Sequence, residues 1–205
     1  MNRYREIVST IGWAGLVSLT SLLASWAAII YLLSGDAKLA IVLASIAFQL
    51  DALDGFLARK LGKASEFGRQ LDSMVDLINY SLLAALVTQQ LLLPGVLGFI
   101  AGFFILAFGI LRLISFNIKG YTEEGDIRYY RGIVTCHLSL ATLVIYVAQK
   151  SLPIDSLPYS DWIIAFILIA LSIGQLSQIK TRKTGALLFW IPVSIAIGVG
   201  ALVWL

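Results

Sequence analysis

The sequence predicts an all-α integral membrane protein, a polytopic bundle of about seven transmembrane helices. Of its 205 residues, 59% are hydrophobic and 13% are charged, whereas soluble domains average roughly 45–50% and about 25%. The mean hydropathy is +0.89, and several apolar stretches approach the length of about 20 residues that a bilayer crossing requires. Since no long linker or low-complexity run interrupts the chain, residues 1–205 are predicted to form a single domain.

Seven apolar stretches mark the predicted spans. Their approximate ranges are 11–33, 37–58, 70–92, 95–117, 132–149, 161–179 and 185–204. Residues 1–10 are mixed and basic, and we expect them to lie on the membrane surface as an interfacial helix. Residues 34–36 and 94–95 mark turns. A polar loop is predicted at 119–126 and a tight basic turn at 181–183.

The positive charges predict the orientation of the bundle. If the N-terminus is placed in the cytoplasm, only Lys38 and Lys150 of the 15 Lys and Arg residues fall on the outer side. Cytoplasmic loops carry the excess of Lys and Arg in membrane proteins. We therefore expect a multi-pass protein of the cell membrane with a cytoplasmic N-terminus.

Four aspartates lie at the predicted cytoplasmic ends of the second and third spans: Asp51, Asp54, Asp72 and Asp76. A charge in the middle of a membrane helix costs roughly 2.5–3.5 kcal/mol even on lenient scales. At about 100° per residue, each pair shares one helix face, and the short hairpin between the spans brings the two faces together. Four converging carboxylates repel one another, so they imply bound cations, and hard oxygen ligands suit Mg²⁺, Mn²⁺ or Ca²⁺.

Gly55, Ala58 and Gly68 fall on the same two faces. Small residues there permit either the close approach of a bulky ligand or tight helix packing. Because Mg²⁺ is commonly held by carboxylates together with substrate phosphates, phosphoryl transfer is the favoured chemistry. The alternative is a divalent-cation transporter, which would need polar residues through the whole membrane depth. The outer halves of these spans are almost wholly apolar.

The pattern D-x2-D-G-x2-A-R-x8-G-x3-D-x3-D, from Asp51 to Asp76, resembles the signature of the CDP-alcohol phosphotransferase family at every fixed position. The resemblance implies a six-helix core, here with one further helix, that often forms homodimers. It also implies transfer of a phosphatidyl-type group from a CDP-linked lipid to an alcohol, with release of CMP. Membrane lipids are the other expected partners, and no nucleic acid is expected.

The same resemblance implies roles for the residues of the signature. Asp51, Asp54 and Asp72 match metal ligands, for Mg²⁺ or Mn²⁺ and two ions in all. Asp76 matches a fourth carboxylate that touches metal and acts as the catalytic base. The positions that match the nucleotide pocket are Asp54, Gly55, Ala58, Arg59, Gly68 and Asp72.

The acceptor alcohol is predicted from a second, weaker resemblance. Residues 112–117, Arg-Leu-Ile-Ser-Phe-Asn, are similar to a segment of the phosphatidylserine synthase branch, which implies L-serine as acceptor and CDP-diacylglycerol as donor. The chain departs from that branch at Ser21, where an Asn is usual, and at 132–136, which lack its prolines. Inositol phosphate, glycerol phosphate or another alcohol stays open as acceptor, and so does an ether-lipid donor.

Several polar residues near the inner ends of the fourth and fifth spans are candidates for binding the acceptor. Arginine can hold a carboxylate or phosphate through two parallel hydrogen bonds, although arginines here also serve as cytoplasmic anchors. The single histidine is alternatively a structural, hydrogen-bonded residue. The candidates are Arg112, Asn117, Arg128, Arg131 and His137.

Overall fold

The computed structural model describes residues 2–61, 66–124, 127–154, 157–182 and 186–204, most of them helical. Seven helices follow one another in the described residues. The first begins nine residues before its predicted span, and the bounds of the other six lie within about five residues of the predicted ones. The helices are α1 Asn2–Leu33, α2 Ala37–Leu61, α3 Glu66–Leu92, α4 Val96–Lys119, α5 Thr135–Ser151, α6 Ser160–Gly174 and α7 Ala186–Trp204. Residues 2–10 continue directly into α1 rather than forming a separate helix, and their placement on the membrane surface stays a prediction.

Three segments are long and apolar enough to cross a membrane within the described ranges: Gly15–Leu33, Glu66–Leu92 and Val96–Lys119. Ser160–Gly174 and Trp190–Trp204 are shorter apolar helices. Large apolar side chains cover the outside of the bundle, and Phe166, for example, is 73% exposed. Such a surface is typical of a protein that faces lipid. The chain is a helical membrane protein. That it crosses the membrane seven times stays a prediction.

Two of the predicted turns are confirmed, and each uses a glycine with positive φ. Gly35 has φ 87° between α1 and α2, and Gly95 has φ 98° between α3 and α4. Glycine adopts this backbone region without the steric cost of a Cβ atom. The Oδ1 atom of Asp36 accepts a hydrogen bond from the backbone N–H of Leu39 at 2.9 Å, which caps the start of α2.

The predicted polar loop and basic turn are wrong in part, because they contain strands. The strands β1 Thr122–Glu124, β2 Ile127–Arg131 and β3 Lys180–Arg182 form an antiparallel sheet in the order β1-β2-β3. Thr122 pairs with Tyr129, and Tyr130 pairs with Thr181. Threonine and tyrosine favour strands, but β3 finds its partner about 50 residues away, a contact that local patterns do not reveal.

The core lies where all seven helices meet, and α3 occupies its centre. Leu83, Ala84 and Val87 of α3 are almost fully buried. Helix α4 packs closely on α3 at Gly109, where a Cβ atom would lie 2.1 Å from the Oγ atom of Ser81. Helices approach this closely in membranes through small residues. The packing fixes α3, which carries two of the predicted site aspartates.

Candidate active site

An acidic cluster forms where α2 faces α3. Asp51 of α2 and Asp72 and Asp76 of α3 place carboxylate oxygens within 4.8 Å of one another, and all three side chains are half-buried. The structure thus brings together three of the four predicted aspartates. Asp54 lies on the next turn of α2, and its side chain is outside the described residues.

The cluster fits a divalent cation. Two carboxylates about 4 Å apart repel by about 4 kcal/mol at an effective dielectric constant of 20, so three in one place need a positive charge between them or protons upon them. Carboxylate oxygens are the ligands that Mg²⁺ and Mn²⁺ prefer. Half-burial leaves room for a substrate phosphate to complete the coordination.

The predicted nucleotide-pocket residues surround this cluster along the chain. Gly55, Ala58 and Arg59 lie in the last turns of α2, with side-chain positions outside the described residues. Gly68 is half-buried in the first turn of α3. Their place in a nucleotide pocket beside the aspartates stays a prediction.

Sequence reasoning missed a tyrosine that touches the cluster. The hydroxyl of Tyr80, in α3, donates a hydrogen bond to Oδ2 of Asp51 at 2.7 Å. Its ring meets Phe48 edge to face at 5.7 Å. Tyr80 follows Asp76 by four residues and Asp72 by eight, so helical spacing places it on the same face. That spacing was the available signal.

A second buried polar contact ties α3 to α1 and α2. The Nδ2 atom of Asn79 donates to Oγ of Ser21 at 2.6 Å, and Ser21 Oγ donates to the carbonyl oxygen of Ala47 at 2.9 Å. Ser21 is the position at which the resembling branch usually has an asparagine. In this protein the carboxamide at that place belongs to Asn79 of α3, which donates a hydrogen bond to Ser21.

Asn117 contacts the helix that carries the aspartates. Its Oδ1 atom accepts a hydrogen bond from the hydroxyl of Ser73 at 3.0 Å, and Ser73 is the residue next to Asp72. This contact joins the C-terminal end of α4 to the start of α3. It gives Asn117 a structural partner in addition to its predicted acceptor role.

A small basic cavity lies at the cytoplasmic end predicted for α4 and α6. It has a volume of about 70 Å³, and the polar residues that line it include Arg112, Ser115, Lys119, Arg131, Gln175 and Ser177. Arg112 is only 5% exposed and donates to Oγ1 of Thr135 at 3.4 Å. The cavity is lined by basic and neutral polar side chains, so it suits an anionic or zwitterionic group.

Gln175 was absent from the predicted site and is the most deeply buried polar residue of the cavity. It is 2% exposed, and neither of its amide atoms has a hydrogen-bond partner among the described residues. The Nε atom of Arg112 is in the same situation. Buried polar atoms nearly always find a partner, so these groups point to a polar ligand. A glutamine directly after an apolar helix was the signal in the sequence.

Gly132 allows the chain around Gln175 to pack closely against the end of β2. It has φ 73°, and a Cβ atom there would lie 2.1 Å from the carbonyl oxygen of Gln175. Its N–H donates to the carbonyl oxygen of Ile179 at 2.8 Å, and Ile133 N–H donates to that of Gly174 at 3.1 Å. The chain after α6 can therefore pack directly against the end of β2 only because residue 132 has no side chain.

The remaining predicted acceptor residues occupy different places. Arg131 is exposed and donates from Nε to Oγ1 of Thr122 at 2.9 Å, and the side chain of Arg128 is outside the described residues. The ring of His137 packs on Trp190 of α7 with centroids 4.4 Å apart, a contact that favours the structural interpretation of this histidine.

An aromatic cluster adjoins the cavity at Phe116, one of its lining residues. The rings of Phe116, Tyr121 and Tyr130 lie with centroids 5.0–5.9 Å apart. Burial, together with the neighbouring Tyr121, raises the pKa of Tyr130 well above its ordinary value. Tyr130 is therefore a neutral hydrogen-bonding group at physiological pH.

The comparison with known proteins agrees with this geometry. Residues 13–196 match the CDP-alcohol phosphatidyltransferase family, and the chain belongs to that family. The family membership predicted from residues 51–76 is thus confirmed. The chain is an enzyme of the phospholipid-synthesis class, and the family uses divalent metal ions.

Three relatives illustrate the similarity. The archaetidylserine synthase of Methanothermobacter thermautotrophicus is 28% identical over 179 residues, which cover 86% of this chain and 72% of that protein. The CDP-diacylglycerol–serine O-phosphatidyltransferase of Mycobacterium leprae is 33% identical over 102 residues, 49% of this chain and 34% of that protein. The enzyme of the same name from Bacillus subtilis is 35% identical over 72 residues, 34% of this chain and 41% of that protein.

Proposed function

We propose that this protein transfers a phosphatidyl group from CDP-diacylglycerol to L-serine and releases CMP. The observation that carries the proposal is the convergence of Asp51, Asp72 and Asp76 within 4.8 Å in a chain of the CDP-alcohol phosphatidyltransferase family. The names of the three relatives each refer to serine or to a serine-containing lipid, and this supports the choice of serine as acceptor. Family membership favours this reaction over cation transport.

The proposed reaction forms one bond and breaks one. The hydroxyl oxygen of serine attacks the lipid-side phosphorus, and the bond from that phosphorus to the oxygen it shares with CMP breaks. Asp76 takes the hydroxyl proton, since a serine hydroxyl is a poor nucleophile until its proton is removed in the transition state. The aspartates would hold two ions of Mg²⁺ or Mn²⁺, which would neutralise charge on the phosphates.

The basic cavity is proposed to hold the acceptor. The guanidinium of Arg112 would bind the serine carboxylate, and the amide of Gln175 would supply a further hydrogen bond. The cavity, with a volume of about 70 Å³, has room for a small acceptor group.

The predicted orientation, with the N-terminus and active site in the cytoplasm, is part of the proposal and is supported by the distribution of Lys and Arg. In that orientation the donor enters laterally from the inner leaflet, and soluble serine enters from the cytoplasm. A homodimer, implied by the family, stays a prediction.

The test is an assay of CMP release by the purified protein with Mn²⁺ or Mg²⁺. CDP-diacylglycerol and an ether-linked analogue serve as donors, and serine, inositol phosphate and glycerol phosphate as acceptors. We expect serine to give the highest rate by at least an order of magnitude. A higher rate with another acceptor would overturn the serine assignment, and no release with any pair would overturn the reaction.

A further inference from the structure

Helix α3 reaches α2 through the buried pair Asn79 and Tyr80. Tyr80 is 4% exposed and donates its hydroxyl proton to Oδ2 of Asp51 at 2.7 Å. Asn79, 3% exposed, reaches the carbonyl oxygen of Ala47 through Ser21. Ala47 and Asp51 are four residues apart, one turn of α2. The two contacts therefore bind successive turns of α2, the helix that carries Asp51.

The local backbone of α3 changes at this point. Residues Leu77–Leu82 form a π-helical segment that begins directly after Asp76. A π-helical segment rotates the residues after it relative to an uninterrupted α-helix, and such segments occur frequently at functional sites. Here the segment contains both Asn79 and Tyr80, so it sets how they meet α1 and α2.

The hydrogen bond from Tyr80 restrains a charged group. A bond from a hydroxyl to a carboxylate is about twice as strong as one between neutral groups. The ring of Tyr80 is itself held by its edge-to-face contact with Phe48, at 5.7 Å and 70°. A donor on a fixed ring determines which way the Asp51 carboxylate turns, and partners of this kind typically change metal affinity about 10–100-fold.

We infer that Tyr80 is a positioning residue for Asp51. Its hydroxyl holds the carboxylate in the orientation in which it meets Asp72 and Asp76, and so raises the affinity of the cluster for a divalent cation. The inference rests on the metal site of the proposed function. It assigns Tyr80 no part in proton transfer and no contact with substrate.

The test is Mn²⁺ binding to the purified protein without substrates, measured by electron paramagnetic resonance. Tyr80→Phe keeps the ring and removes only the hydroxyl, so we expect the fold to persist and the affinity for Mn²⁺ to fall roughly tenfold or more. Tyr146→Phe is the matched control, because it removes the hydroxyl of another tyrosine buried to 3% exposure, and its affinity should stay at the wild-type value.

A double-mutant cycle with Asp51→Asn decides whether Tyr80 acts through Asp51. If it does, Tyr80→Phe changes Mn²⁺ affinity less than twofold once Asp51 is replaced. In the assay of CMP release, Tyr80→Phe should also raise the Mn²⁺ concentration for half-maximal rate while leaving the rate at saturating Mn²⁺ near that of the wild type.

An unchanged Mn²⁺ affinity in Tyr80→Phe overturns this inference alone, and so does a full effect in the Asp51→Asn background. Wild-type protein that binds Mn²⁺ but releases no CMP overturns the proposed function and leaves the role of Tyr80 standing. Wild-type protein that binds no Mn²⁺ overturns both.

Discussion

The acidic cluster and the basic cavity are assembled in opposite ways. The cluster takes its aspartates from one helical hairpin, within 26 residues of sequence. The cavity takes Arg112 from α4, Arg131 from β2 and Gln175 from just after α6, positions spread over more than 60 residues. One site is a local motif, and the other exists only after the chain has folded.

We assign different functions to the two sites. The cluster carries the residues that match the family signature, so we assign to it the chemistry of phosphate transfer. The cavity includes the amide of Gln175, which has no partner among the described residues, and the chain departs from the resembling branch at residues 132–136, directly after Arg131 of the cavity. We assign to the cavity the choice of acceptor. Substitutions in the two places should therefore change different kinetic constants.

The largest effect is expected at the proposed base. Asp76→Asn removes the proton acceptor and a charge of the cluster, so kcat should fall about 10²–10⁴-fold, measured as CMP release with saturating serine and donor. Asp161→Asn, an exposed aspartate in the first turn of α6, is the control and should keep the wild-type rate. Turnover that survives in Asp76→Asn would remove Asp76 from the role of base.

A smaller and more selective effect is expected at Arg112. Arg112→Lys keeps the charge but loses the paired hydrogen bonds to a carboxylate, so KM for serine should rise roughly tenfold to hundredfold. KM for the CDP-lipid should change less than threefold. An equal rise in KM for both substrates would mean that Arg112 does not distinguish acceptor from donor.

The smallest effect is expected at Gln175. If its amide binds serine, Gln175→Leu should raise KM for serine about tenfold, because a buried hydrogen bond contributes about 1–1.5 kcal/mol. If the amide is only a buried polar group that binds nothing, leucine should instead raise the thermal unfolding temperature and leave KM unchanged. Kinetics and unfolding of one variant thus separate the two interpretations.

The acidic cluster could be predicted from the sequence because it depends on local helical periodicity, whereas the basic cavity depends on tertiary packing. Helical periodicity alone brings Asp51, Asp72 and Asp76 to facing sides of a hairpin, and the structure places them there. The same periodicity would have found Tyr80, four residues after Asp76. The contacts of Gly132 with the chain after α6 depend on tertiary packing, and so does the pairing of β2 with β3. No local pattern contains them.

His137 shows a limit of residue type. A lone histidine one turn inside an apolar helix allowed two predictions, an acceptor contact or a structural, hydrogen-bonded residue. Its ring packs on Trp190, more than 50 residues further along the chain, and this contact favours the structural role. The acceptor role stays a prediction.

Removal of divalent cations tests whether the cluster of Asp51, Asp72 and Asp76 is a metal-dependent site of phosphate transfer. The measurement is serine-dependent CMP release by the wild-type protein in excess EDTA, followed by addition of Mg²⁺ or Mn²⁺ beyond the chelator. We expect release to fall to the blank rate in EDTA and to return with the cation. An undiminished rate in EDTA would contradict a metal-dependent site.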